Sequence, residues 1–556
     1  MYTYMFASAN ERKERKAFMK TIREVQSICP QCRRIITAEY AEEGGKVYFR
    51  KICPEHGETR VLVSESVSDY AAWADRPVTN IAPKQAQTEG HRDNCPLDCG
   101  TCSEHLQTAC CVLIDVTNRC NQHCPYCFAA AGEAEEERGR GAENGADEKC
   151  SGAAAREPDL EEIEKKYDRL IELGEEWPFN IQLSGGEPTV RDDLPEIISM
   201  GRDKGFKYIQ INSNGRRLGE EEGYAQKLKD AGASVIFMQF DGMNDRINMK
   251  LRNEPLLAVK QQAVENCRKA GLPVTLVPTV VRGVNLDDIG NLVGYMTDNT
   301  DVIKGIHFQP VSFFGRHPEQ DDEGTAPYGD FAGRVTMFDV LHELEAQTGF
   351  AEYKDFCPIS TGHPLCCFYS TYVKEPDGRI RCMLSEETKQ SGAGCCDTTV
   401  GSSGCCSDAD NTQDRCCGEP QDEEGPCCCG EGGGDSRECG CNEADPLEII
   451  KKDRNYVLNK WELPEQDSCC CGEPQNKEGC CGDKAEGEGC CSAEGNQPMD
   501  MDEFLRYYKT NTFTLTGMAF MDGSCLDAER LKRCRVQQLT DDGRLVPFCA
   551  YNSIYR

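Results

Sequence analysis

The run Val112-Leu-Ile-Asp-Val-Thr117 leads within a few residues into Cys120-Asn-Gln-His-Cys124-Pro-Tyr-Cys127-Phe128, and this stretch constrains the chain more than any other. The first six residues are apolar and β-branched, as a buried strand requires. They deliver three cysteines spaced C-x3-C-x2-C to a short loop. Thiolates at that spacing hold three irons of a [4Fe–4S] cluster, because soft sulfur ligands select such centres. Only three are offered locally, which leaves the fourth iron to a non-protein ligand. Further on, Ile181-Gln-Leu-Ser-Gly-Gly-Glu-Pro188 is a second strand running into a glycine-rich turn. A strand before the thiols and G-G-E-P after them make chance or a structural zinc site the weaker explanations.

Cysteine usage sets the compartment. There are 38 cysteines in 556 residues, yet Met1–Lys20 carries Lys and Arg throughout and has no apolar export segment. The expected setting is cytoplasmic, where thiols stay reduced and dense cysteines act as metal or cluster ligands. No run approaches eighteen apolar residues, so no transmembrane segment is expected. A net charge of −33 argues against nucleic acid and anionic membrane surfaces as partners. Hydrophobic residues make up 38%, low enough that part of the chain should not pack. That part is residues 387–500, which hold 18 cysteines, mostly as C-C or C-C-C, among Gly, Glu, Asp and Pro. Cys416-Cys-Gly-Glu-Pro-Gln421 recurs there as Cys470-Cys-Gly-Glu-Pro-Gln475. The bland reading is a disordered insertion; the sharper one is a thiolate region binding soft metals or sulfur. Pro446–Leu463, with Ile449, Ile450, Val457, Leu458 and Trp461, is one foldable island in it. Ala129–Glu157, with Cys150, reads as a second solvated insertion.

Other cysteines fall into groups. Residues 1–28 read as a charged, partly helical lead-in within an N-terminal domain, 1–94. In that domain Cys29-Pro-Gln-Cys32 and Cys53-Pro-Glu-His56 flank a hairpin-like stretch, the tetrahedral arrangement of zinc-ribbon or rubredoxin knuckles holding one Zn or Fe. Residues 95–111 repeat the C-x3-C-x2-C spacing at Cys95, Cys99 and Cys102, with Cys111 favoured over Cys110 as fourth ligand of an auxiliary [4Fe–4S] cluster; a second zinc site is the alternative. Residues 350–386 and 501–556 supply Cys366, Cys534 and Cys549, with Cys357 or Cys382 as fourth, for one more cluster.

Between them, residues 112–349 alternate strand and helix patterns. The strands are Val112–Thr117, Phe179–Leu183, Tyr208–Asn212, Ser234–Phe240, Val274–Val281 and Gly305–Val311. The helices include Leu160–Leu173, Leu194–Lys204, Tyr224–Ala231, Leu256–Ala270, Leu286–Met296 and Asp330–Glu345. Six βα units imply a parallel sheet with right-handed crossovers, with chemistry at the C-terminal strand ends. Candidate residues on that rim are Gly185, Gly186, Glu187 and Pro188 after strand two and Asn212, Ser213 and Asn214 after strand three. Asp241 follows strand four, Arg282 and Asn285 strand five, and Gln309 ends strand six. A loop-capping role competes with a ligand role at each.

The cluster loop and S-G-G-E-P resemble the radical S-adenosylmethionine (SAM) superfamily. The wider layout narrows the likeness: C-P-x-C…C-P-x-H-G, C-P-x-D-C-G-x-C-x-x-H, P-T-V-V-x-G-V-N, F-Q-P-V-S-x-x-G-R and a final P-F-C-A-Y-N. It is similar to the tetraether-lipid synthase and pterin C-methylase (class D methylase-like) group. Ser360-Thr361 departs from it, since relatives tend to show a cysteine just before H-P-x-C. The resemblance implies an α/β fold with a partial (βα)6 barrel, an N-terminal metal knuckle and a C-terminal auxiliary Fe–S region. It further implies that SAM chelates the open iron and contacts Tyr126, Phe128, the Gly185–Pro188 turn, Asn212–Asn214 and Asp241. Reductive cleavage to a 5′-deoxyadenosyl radical would then form a C–C bond or C-methylate an unactivated carbon. Expected partners are an electron donor such as ferredoxin or flavodoxin and a small-molecule, lipid or peptide substrate. The alternatives are a maturase of another reaction type, or a non-catalytic iron or sulfur carrier built on the 18-cysteine segment.

Overall fold

The computed structural model describes residues 19–83, 85–88, 94–132, 157–174, 178–318, 333–359, 362–385 and 501–556. The expectations for 387–500, its island, Cys150 and Ser360-Thr361 lie outside the described residues, as does most of 129–157.

The N-terminal unit is an antiparallel meander of β1 (Lys20–Ile28), β2 (Ile35–Glu43), β3 (Lys46–Cys53) and β4 (Gly57–Ser64), in that order. Of the lead-in, residues 20–28 are strand and not helix, and residues 1–18 lie outside the described residues. Lys20–Ile28 pairs along its length with β2, and ladder bonds outweigh a weak local preference. The Gly44-Gly45 turn, both residues at positive φ, joins β2 to β3. Tyr40, Phe49, Tyr70 and Trp73 are buried where this sheet meets the helix Val67–Ala74 and the main body.

The main sheet starts with β5 (Cys111–Thr117), β6 (Asn180–Gly185), β7 (Ile209–Ser213), β8 (Val235–Gln239), β9 (Val274–Val277), the short β10 (Thr279–Val280) and β11 (Ile303–Pro310). Apart from β10, which pairs with β11 alone, neighbours in that sequence are parallel. Alternate residues, such as Val112 and Ile114, Ile181 and Leu183, and Ile209 and Ile211, pack outward. There they meet Ile163, Tyr167, Leu170, Ile197, Leu228 and Val264 of the covering helices in one core. The fifth predicted strand is two pieces because Pro278 has no N–H to continue the ladder. The sixth helix runs Met337–Thr348, later than expected: the Thr336 side chain and Asp339 form a capping box that sets its start.

The C-terminal segment completes this sheet. β14 (Thr512–Met518) lies parallel to β11, and β15 (Val536–Leu539) lies parallel to β5. β12 (Cys367–Lys374) and β13 (Ile380–Cys382) extend one edge antiparallel, and β16 (Leu545–Pro547) extends the other. Sequence reading placed these residues in a cluster-binding appendage. They are wall as well. No helix among the described residues is long and apolar enough to cross a membrane.

Candidate functional site

The three loop thiols come together at the C-terminal end of β5. Burial drives the Cys120 thiol up to about 12, with Glu187, Cys124 and Cys127 close enough to repel its thiolate. Cys124 is also raised by burial, against the opposing pull of the Arg252 guanidinium, which donates to it. Thiols held neutral in this way ionise when a metal centre supplies positive charge. The loop is clasped by Arg316: Cys127 and Arg316 exchange backbone hydrogen bonds of 2.9 and 3.0 Å, and Arg316 Nε donates to the Cys124 carbonyl at 2.8 Å. Gly315, at φ +52°, allows this approach, since a Cβ there would meet the Cys127 and Phe128 carbonyls.

The glycine turn packs directly on this loop. The Gly186 N–H donates to the Thr117 carbonyl at 2.7 Å and the Glu187 N–H to the Arg119 carbonyl at 2.9 Å. A Cβ on Gly185 or Gly186 would strike those same two carbonyls, so the glycines are required by contact. Glu187 is fully buried. Its Oε1 accepts from Thr189 N, Thr189 Oγ1 and Ser213 Oγ, and its Oε2 from Asn214 N at 2.6 Å. Burial raises this carboxyl above its ordinary range, and those four hydrogen bonds oppose the rise. With one bond on Oε2, that oxygen keeps acceptor capacity for a cationic ligand. Pro188 opens the following turn, and Asn214 Nδ2 reaches Asn121 Oδ1 in the cluster loop at 2.7 Å.

Other expected residues are placed differently. The Asp241 carboxylate is held bidentately by Arg252 at 2.8 Å on both oxygens and accepts from Thr279 N at 3.0 Å. It therefore reaches the cluster loop through Arg252, which also donates to the Tyr126 carbonyl at 3.1 Å. Arg252 escaped sequence analysis because its helix, Asp245–Arg252, was not foreseen. The Tyr126 side chain packs against an apolar cluster with Val281 and Phe313, and the Phe128 ring lies 5.6 Å from Phe548. Asn212 points away from the turn, to Gln210 and Gln182. Asn285 is a buried brace, donating to the Asp241 and Thr279 carbonyls and accepting from Val281 N, while Arg282 pairs with Asp339.

The remaining thiols sort into sites. Ligand atoms of Cys29, Cys32, Cys53 and His56 all lie within 4.8 Å of one another. Burial pushes the Cys53 thiol up, but N–H donors at Glu55 and His56 and its His56 and Cys29 neighbours bring it down to about 6. Cys95, Cys99 and Cys102 lie together, and the thiol that joins them in acting on Cys99 is Cys534, not Cys111. Cys111 instead pairs with Cys110 and Gln182 at the foot of β5, which is where its strand position puts it. Cys366, Cys534 and Cys549 also act on one another. Cys357 and Cys382 go elsewhere, to the Tyr369 carbonyl and Ser370 of β12. Arg530 Nε donates to Cys366 Sγ at 3.3 Å.

The three-thiol loop at the mouth of the parallel sheet is thus seated on the G-G-E-P turn. Residues 114–296 match the radical SAM superfamily. Residues 21–65 match the HMPTM N-terminal zinc ribbon domain. Among characterised proteins, the chain is similar to 7,8-dihydro-6-hydroxymethylpterin dimethyltransferase of Methanocaldococcus jannaschii, 39% identical over 347 residues, or 61% of this chain and 62% of that one. It is also similar to Fe-coproporphyrin III synthase of Methanosarcina barkeri, 30% identical over 38% of this chain and 46% of that one. A solved structure of Streptococcus suis SuiB bound to S-adenosylmethionine overlaps 44% of this chain and 47% of its own at 13% identity and a TM-score of 0.32. The chain spans less than two thirds of the length of either relative.

Proposed function

We propose that this protein is a radical SAM C-methylase acting on an unactivated carbon of a small pterin-like heterocycle. The observation that carries the reading is the seating of Cys120, Cys124 and Cys127 on the buried Glu187 turn, in a chain 39% identical over 347 residues to a pterin dimethyltransferase. Three thiols and an open carboxylate oxygen fit a [4Fe–4S] cluster with SAM on its fourth iron. When bound, that pair supplies one-electron cleavage of SAM to a 5′-deoxyadenosyl radical. The chain's own contribution is placement. Gly185 and Gly186 let backbone come close, Glu187 Oε2 would accept from the SAM ammonium, and Ser213, Thr189 and Asn214 fix that carboxylate. Arg252, held by Asp241, keeps positive charge beside Cys124. Cys95, Cys99, Cys102 and Cys534 suit a fully ligated auxiliary cluster for electron relay. The Cys29–His56 knuckle suits a mononuclear Zn or Fe. The electron donor would be a ferredoxin or flavodoxin, and the barrel would shield the radical from solvent.

Anaerobic reconstitution with iron and sulfide, dithionite, SAM and 6-hydroxymethyl-7,8-dihydropterin should yield 5′-deoxyadenosine and, with a second SAM or another one-carbon donor supplying the methyl group, a methylated pterin. Cys124→Ala should abolish both. An iron-loaded wild type that yields neither refutes the reading.

A further inference from the structure

The interior face of the barrel carries a row of carboxamides among apolar side chains. Outward residues of each strand pack against helices, so the alternate residues face inward. The ladder registers align Gln538 of β15 with Leu113 of β5, then Gln182 of β6 and Gln210 of β7. Three carboxamides thus stand in one row around a single leucine. Two of them are satisfied among themselves: Gln210 donates to Asn212 at 2.6 Å and accepts from Tyr208, and Gln182 accepts from Asn212. Gln538 is different. It is 1% exposed, and neither its Nε2 nor its Oε1 has a hydrogen-bond partner. A carboxamide with donor and acceptor both buried and unpaired calls for a ligand that offers both.

Its surroundings fix the shape of that ligand. Leu113 packs with Phe314 and Phe548, with Phe520 alongside. The Phe548 ring lies 4.6 Å from Phe520 and 6.3 Å, edge-on, from Phe314. An aromatic wall beside a bidentate amide is the chemistry that recognises a flat, hydrogen-bonding ring. An alkyl chain would leave the amide unpaired. On other strands of the sheet, the Oγ1 atoms of Thr275 and Thr514, on the same inward face, are also buried without partners.

Resting on the heterocycle reading above, we propose that Gln538 determines substrate specificity, its carboxamide pairing donor to acceptor with the lactam edge of a planar heterocycle stacked against the Phe548 wall. The test uses the full-length, metal-loaded protein and two probes in equilibrium dialysis, 6-hydroxymethyl-7,8-dihydropterin and palmitate. Wild type should bind the pterin saturably and palmitate not at all. Gln538→Leu should lose tenfold or more in pterin affinity, since a site built to pair with polar groups rejects a mismatch strongly. Its melting temperature should be equal or higher, because an unpaired buried amide has been removed; a purely structural glutamine would lower it and overturn the assignment. Gln538→Glu, close in size but lacking the amide donor, should also bind weakly. Gln538→Leu binding the pterin like wild type overturns the assignment and leaves the methylase reading intact. Wild type binding palmitate and not the pterin overturns both.

Discussion

Arg252 lies where stability and redox chemistry meet at a single side chain. It and Asp241 are almost wholly buried, at 6% and 0% side-chain exposure, and joined by two 2.8 Å hydrogen bonds. Removing one partner strands a buried charge, which costs about 3–5 kcal/mol. Arg252→Gln should therefore lower the unfolding free energy by about that amount, measured in denaturant, and Asp241→Asn combined with it should recover most of the loss. The double variant separates the second role. Without the cation beside Cys124, added negative charge on the cluster is less well stabilised, so potentiometric EPR should show a more negative midpoint even where stability is restored. An unchanged midpoint would reduce Arg252 to a brace for the Tyr126 carbonyl.

At the scale of elements, the C-terminal helix Met501–Asn511 is tied to the barrel by a buried amine. Lys304, near the start of β11, donates to the carbonyls of Thr300, Lys509 and Thr510 at 2.8–3.0 Å. Burial lowers its pKa from 10.5 to about 8. Between pH 8 and 10.5 the unfolded chain holds a proton that the folded chain has released, so this group makes stability rise with pH. The gain saturates near pH 10.5 at up to about 3 kcal/mol. Lys304→Met should lack it: the wild-type advantage, measured by chemical unfolding, should widen from pH 8 to 10.5 and stay constant below pH 7.

At the scale of the molecule, the ribbon is bolted to the barrel and does not behave as a detached module. Tyr40 Oη donates to Asp527 Oδ2 at 2.8 Å, Ser27 Oγ to the Leu526 carbonyl, and the buried Lys51 amine to the Gly523 carbonyl. Asp527 also caps the helix Ala528–Lys532, two residues before Cys534. One carboxylate thereby links the metal knuckle to the segment that carries auxiliary thiols. Tyr40→Phe should cost about 1.5–3 kcal/mol, the worth of a hydrogen bond to a charged group. Asp527→Ala should cost more, and hydrogen exchange should show faster opening of β1–β4 and of residues 528–534 together.

What the sequence determined by itself is the chemistry that local spacing encodes. Cys120-x3-Cys124-x2-Cys127, the Gly185-Gly186-Glu187 turn, the Cys29–His56 knuckle and the alternation of the barrel core all rest on contacts a few residues apart or on a regular period. Tertiary structure decided everything that depends on distant segments meeting. Cys534 stands beside Cys99 because β15 pairs with β5, across more than four hundred residues, and no spacing rule reports that. Arg252 reaches Cys124, and Gln538 enters the register row of Gln182, for the same reason. Lys20–Ile28 is a strand only because β2 lies beside it. A local pattern states which groups a chain owns, and closure of the sheet states which of them share a site.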